Sequence, residues 1–167
     1  GEYPAEVMQA FAPHMPEGWQ DDFALITQKL DWFGLNYYTR KLIAPAAGAW
    51  PAHTEVEGPL PKTDVGWEIY PEGLHHFLHM VKGYTGDLPL YVTENGMAAP
   101  DALVQGAVND ADRIAYIAAH LRACQRAIAE GVPLQGYFAW SLLDNYEWSL
   151  GYDKRFGLVH VDFASLQ

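Results

Sequence analysis

Cysteine is nearly missing from this sequence: Cys124 stands alone, so no internal disulfide can form. A single thiol fits a reducing compartment and predicts a cytoplasmic protein. Positive charge is scarce too. Ten Lys and Arg stand against 21 Asp and Glu, a formal net charge of −11 with neutral histidine. A nucleic-acid partner asks for a basic face, so the deficit argues against one. No apolar run approaches the ~18 residues of a membrane span, and no membrane partner is expected. Position 1 is glycine, and Glu2-Tyr3-Pro4 opens neither a basic stretch nor an apolar segment. No signal peptide is read there, and a chain processed or cut from something larger is expected.

What is present belongs to a folded globular protein. Of the 167 residues half are hydrophobic and 19% charged, enough for one domain with a real core. Six Trp, ten Tyr and seven Phe make it rich in aromatic rings. Most rings belong in a core, but aromatic faces also hold flat, partly apolar ligands. Residues 1–19 carry three prolines and read as loop and short helix. Asp21-Asp22 before Phe23, Leu25, Ile26 and Leu30 marks a helix start. The aromatic run 32–38 reads as a buried strand. Residues 39–70 have no clear period and read as a long loop. Pro71 suits a first helical position, and Leu74, Phe77, Leu78 and Val81 make a stripe behind it. Residues 88–93 form a second strand, with Glu94-Asn95-Gly96 as turn chemistry at its end. Asn109 and Asp112 resemble a capping box. The helix behind them carries Ile114, Ile117, Ala118, Leu121, Cys124, Gln125 and Ile128 at 3–4 spacing, and Gly131 and Pro133 stop it. Residues 134–140 are a third strand, 141–155 a loop, and 156–163 extended.

Helices alternating with strands imply parallel strands under helical cover. An open doubly wound sheet and part of a (β/α)₈ barrel compete. No Gly-x-Gly-x-x-Gly or phosphate loop supports a nucleotide site. The long connections leave the C-terminal ends of strands, as active-site loops do in a barrel, yet a whole barrel needs ~250 residues. Alternation puts Gly34, Asn36 and Tyr38 on one strand face, Leu90, Val92 and Glu94 on another, and Gly136, Phe138 and Trp140 on a third. Each set ends in a group suited to a polar ligand. A glutamate at a turn is the plainer account of Glu94 alone; convergence of three strands weakens it.

Four motifs occur in order: Trp32-Phe33-Gly34-Leu35-Asn36-Tyr37-Tyr38, Gly66-Trp67-Glu68-Ile69-Tyr70-Pro71-Glu72-Gly73, Tyr91-Val92-Thr93-Glu94-Asn95-Gly96, and Trp140-Ser141-Leu142-Leu143-Asp144-Asn145-Tyr146-Glu147-Trp148. The last runs on through Gly151-Tyr152 to Lys154-Arg155-Phe156-Gly157-Leu158. From about residue 20 the chain resembles the C-terminal part of a glycoside hydrolase family 1 β-glucosidase. The resemblance implies strands 6–8 of a (β/α)₈ TIM barrel, with residues 1–167 as part of one catalytic domain, and retaining hydrolysis of β-glycosides without cofactor or metal. Glu94 matches the family's nucleophile and Tyr38 the tyrosine that hydrogen-bonds it. Asn36 matches an asparagine of the same site. Glu147 matches the carboxylate that accepts from two sugar hydroxyls, and Trp148 the indole donor beside it. Trp140 matches the ring under the sugar, Trp67 a leaving-group platform, and Phe156 a pocket wall; core packing is the alternative for these rings. Relatives that cleave 6-phosphoglycosides lack the Glu147 carboxylate, so unphosphorylated sugars are expected.

The family's acid/base sits in an Asn-Glu-Pro segment, and none occurs here. Its N-terminal Gln and His-Trp sugar ligands are absent as well, and the chain stops at Gln167 before the family's last helix is complete. Alone, the chain is expected to be inactive and to need the complementary N-terminal part of the barrel as partner, with a β-glycoside as substrate. A non-catalytic carbohydrate-binding or scaffold fragment is the rival reading. His75 and His79 have a metal-binding spacing, but no glutamate lies between them, and they read as a solvated helix face. Cys124 reads as a buried small hydrophobe.

Overall fold

The computed structural model describes residues 2–48 and 50–166. In chain order its elements are α1 (Ala5–Phe11), α2 (Phe23–Ile26), β1 (Phe33–Asn36), β2 (Leu42–Pro45), β3 (His53–Val56), α3 (Pro71–Thr85), β4 (Leu90–Asn95), β5 (Leu103–Val104), β6 (Ala107–Val108), α4 (Ala111–Ala129) and β7 (Leu134–Ala139). β1, β4 and β7 form one parallel sheet in that order, with β4 central. α3 and α4 are the connections between successive strands and pack side by side. The alternation predicted from the sequence is therefore the architecture observed.

The core lies between this sheet and the two helices. Leu35 and Tyr37 from the β1 segment, Leu90 and Val92 from β4, and Leu134 from β7 meet Leu74, Leu78 and Val81 of α3 and Cys124 and Ala127 of α4. Leu74, Leu78, Leu90 and Val92 are wholly buried. Each such side chain contributes about 1.5–3 kcal/mol by leaving water. Pro71 opens α3 as expected, since its missing N–H has no helical partner to lose.

Several sequence expectations need correction. The unpatterned loop 39–70 contains an antiparallel hairpin, β2 with β3, whose exposed residues alternate too weakly to announce strands. The predicted capping box is not formed: the N-cap of α4 is Asp110, it makes no side-chain cap bond, and its carboxylate instead pairs with Arg113. The buried face of α4 is Arg113, Tyr116, His120, Ala123, Cys124 and Ala127, while Ile114, Leu121 and Ile128 are exposed. Apolar residues lie on two faces of this helix, and the small ones allow the close approach to the sheet. Residues 156–163 form no strand, only an isolated bridge from Val159 to Leu143.

The fourth strand carries the feature that shapes the site. Against β1, Leu35 pairs Val92 but Asn36 pairs Glu94; against β7, Val92 pairs Tyr137 and Asn95 pairs Ala139. Both neighbours therefore see one extra residue in β4 after Val92. This is a β-bulge, which re-aims the side chains beyond it. Strict alternation would group Glu94 with Leu90 and Val92. Instead Leu90 and Val92 face the helices, and Glu94 faces the opposite side with Asn36.

Candidate active site

The eight residues singled out by sequence come together. Asn36, Tyr38, Trp67, Glu94, Trp140, Glu147, Trp148 and Phe156 all line one cavity of about 510 Å³ at the C-terminal ends of the strands, with Ser149 and Leu150. Among the described residues two carboxylates face it and no lysine or arginine does. A second cavity, about 550 Å³, is lined by Trp32, Tyr91, Thr93, Phe138 and Trp140 among others. It is more apolar and holds no charged group, so the chemistry belongs to the first.

At the centre the Tyr38 hydroxyl donates to Glu94 Oε2 at 2.8 Å. Burial, then the bond to Glu94 and the charges of Glu94 and Glu147, push the Tyr38 phenol far above its ordinary value. It stays protonated and can only donate to the carboxylate. Since Oε2 is held, Oε1 is the oxygen left to act. Thr93 Oγ1 donates to Asn36 Oδ1 at 2.7 Å, tying the β1 rim to β4.

Three rings wall one side. Tyr38 lies 5.4 Å from Trp67 and 6.1 Å from Phe156, and Trp67 lies 6.1 Å from Phe156, all tilted or edge-on. Phe156 is buried, Trp67 and Trp140 are half-buried, and Trp148 is 84% exposed, its indole free for a ligand. Trp67 is held by a turn: Thr63 N–H donates to the Trp67 carbonyl at 2.9 Å. Beside it Glu68 accepts from Arg40 Nε and Leu60 N–H, both at 2.7 Å. Those two bonds hold its carboxyl below the usual carboxylate range.

Sequence reasoning gave no role to the residues that position these groups. Asn95, read as turn chemistry, is wholly buried. Its Nδ2 donates to the Tyr37 carbonyl at 2.6 Å and to the Tyr116 hydroxyl at 3.1 Å, and its Oδ1 accepts from Tyr137 at 2.7 Å. Tyr116 in turn donates to the Tyr38 carbonyl at 2.9 Å. One amide thus fixes the backbone on which Tyr38 and Glu94 stand. Asp144, with a fully buried side chain, accepts from Arg155 Nη1 at 2.6 Å and Gly157 N–H at 2.9 Å. That pair frames the loop bearing Glu147, Trp148 and Phe156. Lys154 ties the same loop to Asp64 Oδ2 at 2.8 Å, beside Trp67. Buried polar residues next to motif positions were the only sequence signal for this network.

Comparison with known proteins agrees with this geometry. The model of Glycosyl hydrolase family 1 matches residues 1–167. The chain is 46% identical over 166 residues to beta-glucosidase A of Thermotoga maritima, covering 99% of this chain and 37% of that protein. It is 46% identical over 176 residues to a beta-glucosidase of an Agrobacterium species, again 99% and 37%. A solved structure of the Thermotoga maritima beta-glucosidase with azafagomine superposes with TM-score 0.94 at 45% identity, over 100% of this chain and 38% of that one. The chain therefore spans little more than a third of the length of the relatives it matches, and those neighbours are TIM barrels.

Proposed function

The chain belongs to glycosyl hydrolase family 1, and from that premise we propose that it supplies the nucleophile-bearing side of a retaining β-glycosidase site. Its three parallel strands are the sixth to eighth of a (β/α)₈ barrel, and residues 1–167 are part of that single catalytic domain. Glu94 is the nucleophile. Its Oε1 attacks the anomeric carbon as the bond to the leaving oxygen breaks, giving a glycosyl ester on Glu94. Water then attacks the same carbon, giving a proton to the acid/base as it does so, and releases the sugar and the free carboxylate. Tyr38 holds Oε2 and orients the attack. Asn36 serves the sugar near the reacting carbon, Glu147 accepts from two of its hydroxyls, and Trp148 donates beside them. Trp140 lies under the ring's C–H face, Trp67 receives the leaving group, and Phe156 closes the wall.

The proton for the leaving oxygen needs a second carboxyl about 5–5.5 Å from the nucleophile. Glu147 is committed to sugar hydroxyls in this reading, so the acid/base comes from the complementary N-terminal part of the barrel. Catalysis then requires both parts in one particle. The absence of cations from the described lining favours an unphosphorylated β-glycoside, because Glu147 and Glu94 repel a phosphate. The lone thiol supports a cytoplasmic site of action.

The observation that carries this reading is the Tyr38–Glu94 hydrogen bond inside a cavity that also holds Glu147 and three indoles. The test is covalent trapping of the full-length polypeptide with a 2-deoxy-2-fluoro glucoside, followed by peptide mass mapping. Label on Glu94 is expected; label on another residue overturns the assignment. Turnover of an aryl β-glucoside by the 167-residue chain alone would remove the need for a partner. A sugar-binding but catalytically silent full-length protein would favour the carbohydrate-binding reading.

A further inference from the structure

The outer face of α3 and α4 carries a polar cluster that the cavity does not use. His75 and His79, one helical turn apart on α3, both direct Nε2 at the same oxygen of Glu130, the C-cap residue of α4. The distances are 2.7 Å and 2.8 Å. The two rings lie 4.7 Å apart, and one donor atom from each of the three residues falls within 4.8 Å of the others. The side chains are 20%, 35% and 45% exposed, so water reaches the cluster from one side. We propose that His75, His79 and Glu130 form a site for a divalent transition metal, zinc in the first instance, that clamps the end of α4 to α3.

The chemistry follows from the donor set. Histidines at i and i+4 present two nitrogens on one helix face, which is a chelating pair. A carboxylate from the adjacent helix supplies the third ligand, and the open side leaves a fourth position for water. Two imidazoles and one carboxylate suit zinc or its neighbours in the first transition row better than magnesium or calcium, which prefer oxygen alone. Bonds of about 2.0–2.2 Å in a tetrahedron put donor atoms about 3.3 Å apart. Here they stand 2.7 and 2.8 Å apart, so each must retreat by about half an ångström, within reach of side-chain rotation. In the metal-free cluster both Nε2 atoms share one carboxylate oxygen. For a cation to bind there each imidazole must take the tautomer with its proton on Nδ1, which frees the Nε2 lone pair and gives each donor its own bond.

The surroundings are compatible. The His75 hydrogen bond, aided by the one to His79, holds the Glu130 carboxyl below the usual carboxylate range. Lys82 of α3 turns its ammonium to the Gly131 carbonyl at 2.7 Å, and Arg126 of α4 is engaged by Glu72. Neither cation is bonded to Glu130 among the described residues. His76, although adjacent in sequence, is exposed and lines a different cavity with Tyr37 and Phe77.

The test titrates Zn²⁺ against a chromophoric chelator in the full-length polypeptide, with Co²⁺ absorption to report coordination. One ion per chain is expected, with the visible bands of a four-coordinate site. His79→Ala and Glu130→Ala should each weaken binding by about 100-fold, the upper range for loss of even a supporting group. His76→Ala should leave affinity unchanged. Thermal unfolding without metal checks that each variant folds; added Zn²⁺ should raise the midpoint in wild type and His76→Ala but not in the His75→Ala/His79→Ala pair. No binding at micromolar zinc overturns the site. So does equal weakening by His76→Ala and His79→Ala, which marks loose binding to any surface histidine.

Discussion

Replacing Asn95 by alanine tests the claim that one buried amide sets the geometry of the reactive rim. The side chain is wholly buried and makes three hydrogen bonds. Its loss does not strand all three partners. Tyr116 keeps its bond to the Tyr38 carbonyl. The Tyr37 carbonyl and the Tyr137 hydroxyl lose theirs to Asn95 inside the core. Each buried polar group left unpaired costs about 1–3 kcal/mol, so Asn95→Ala should destabilise the protein by about 2–6 kcal/mol. Asn95→Asp keeps the shape but removes the Nδ2 donor, setting a carboxylate oxygen against the Tyr37 carbonyl. It should therefore be no milder than alanine. Urea denaturation of the full-length polypeptide measures the effect as a shift of midpoint at constant slope. Aryl β-glucoside kinetics on the surviving folded fraction should show kcat reduced more than KM is raised, because the Tyr38–Glu94 pair is misplaced and not removed. If both variants lie within about 0.5 kcal/mol of wild type, the magnitude of an ordinary surface change, the amide is not the pin described here.

Three further outcomes follow from the geometry. A Cβ on Gly96 would sit 1.9 Å from the Trp140 carbonyl oxygen, a backbone atom; Gly96→Ala should cost kcat/KM about 100-fold, as a displacement near 1 Å does, whereas the same change at Gly83, whose surroundings are open, should spare the Trp140 rim. Glu147→Gln keeps volume and loses a charge-assisted acceptor, so kcat/KM should fall by about 1.5–3 kcal/mol in activation terms, read as steady-state rates on a glucoside; an unchanged rate would remove Glu147 from the sugar site. His120 is wholly buried, with Nδ1 2.8 Å from the Tyr116 carbonyl and Nε2 without a partner among the described residues. Burial pulls its pKa below the ordinary 6.5, so the unfolded chain binds the extra proton first. Its contribution is present above pH 6.5 and is lost progressively as pH falls from there through the lowered folded value; thermal midpoints recorded from pH 8 to 5 should drop less steeply in His120→Leu.

Much of this molecule can be read from local pattern, and the exceptions have physical causes. α3 was legible because Leu74, Leu78 and Val81 have a single partner surface, and because Pro71 marks the start. The motif residues were legible because unusual groups recur at strand ends: Tyr38, Glu94, Trp140. α4 was misread because Ile114, Leu121 and Ile128 repeat every seven residues as strongly as the true buried set, and hydrophobicity does not say which of two faces meets the sheet. The β2–β3 hairpin escaped because exposed strands carry little alternation. Asn95, Asp144 and Arg155 escaped because their work is done by hydrogen bonds across 13 to 58 residues of chain or more locally within one loop, where no spacing rule operates. The His75–Glu130 contact spans 55 residues and is invisible to helical periodicity for the same reason.

The additional residue in β4 separates two demands that an unbroken strand would force together. Up to Val92 the segment obeys the interior, and past it the chain answers to the ligand. Substitutions at 90 or 92 can thus be chosen for packing without turning the carboxylate, whereas inserting one further position between 92 and 94 would, by alternation, swing the acid toward the helices. The irregularity acts as a hinge in parity, and it makes the count of residues there as consequential as their identity.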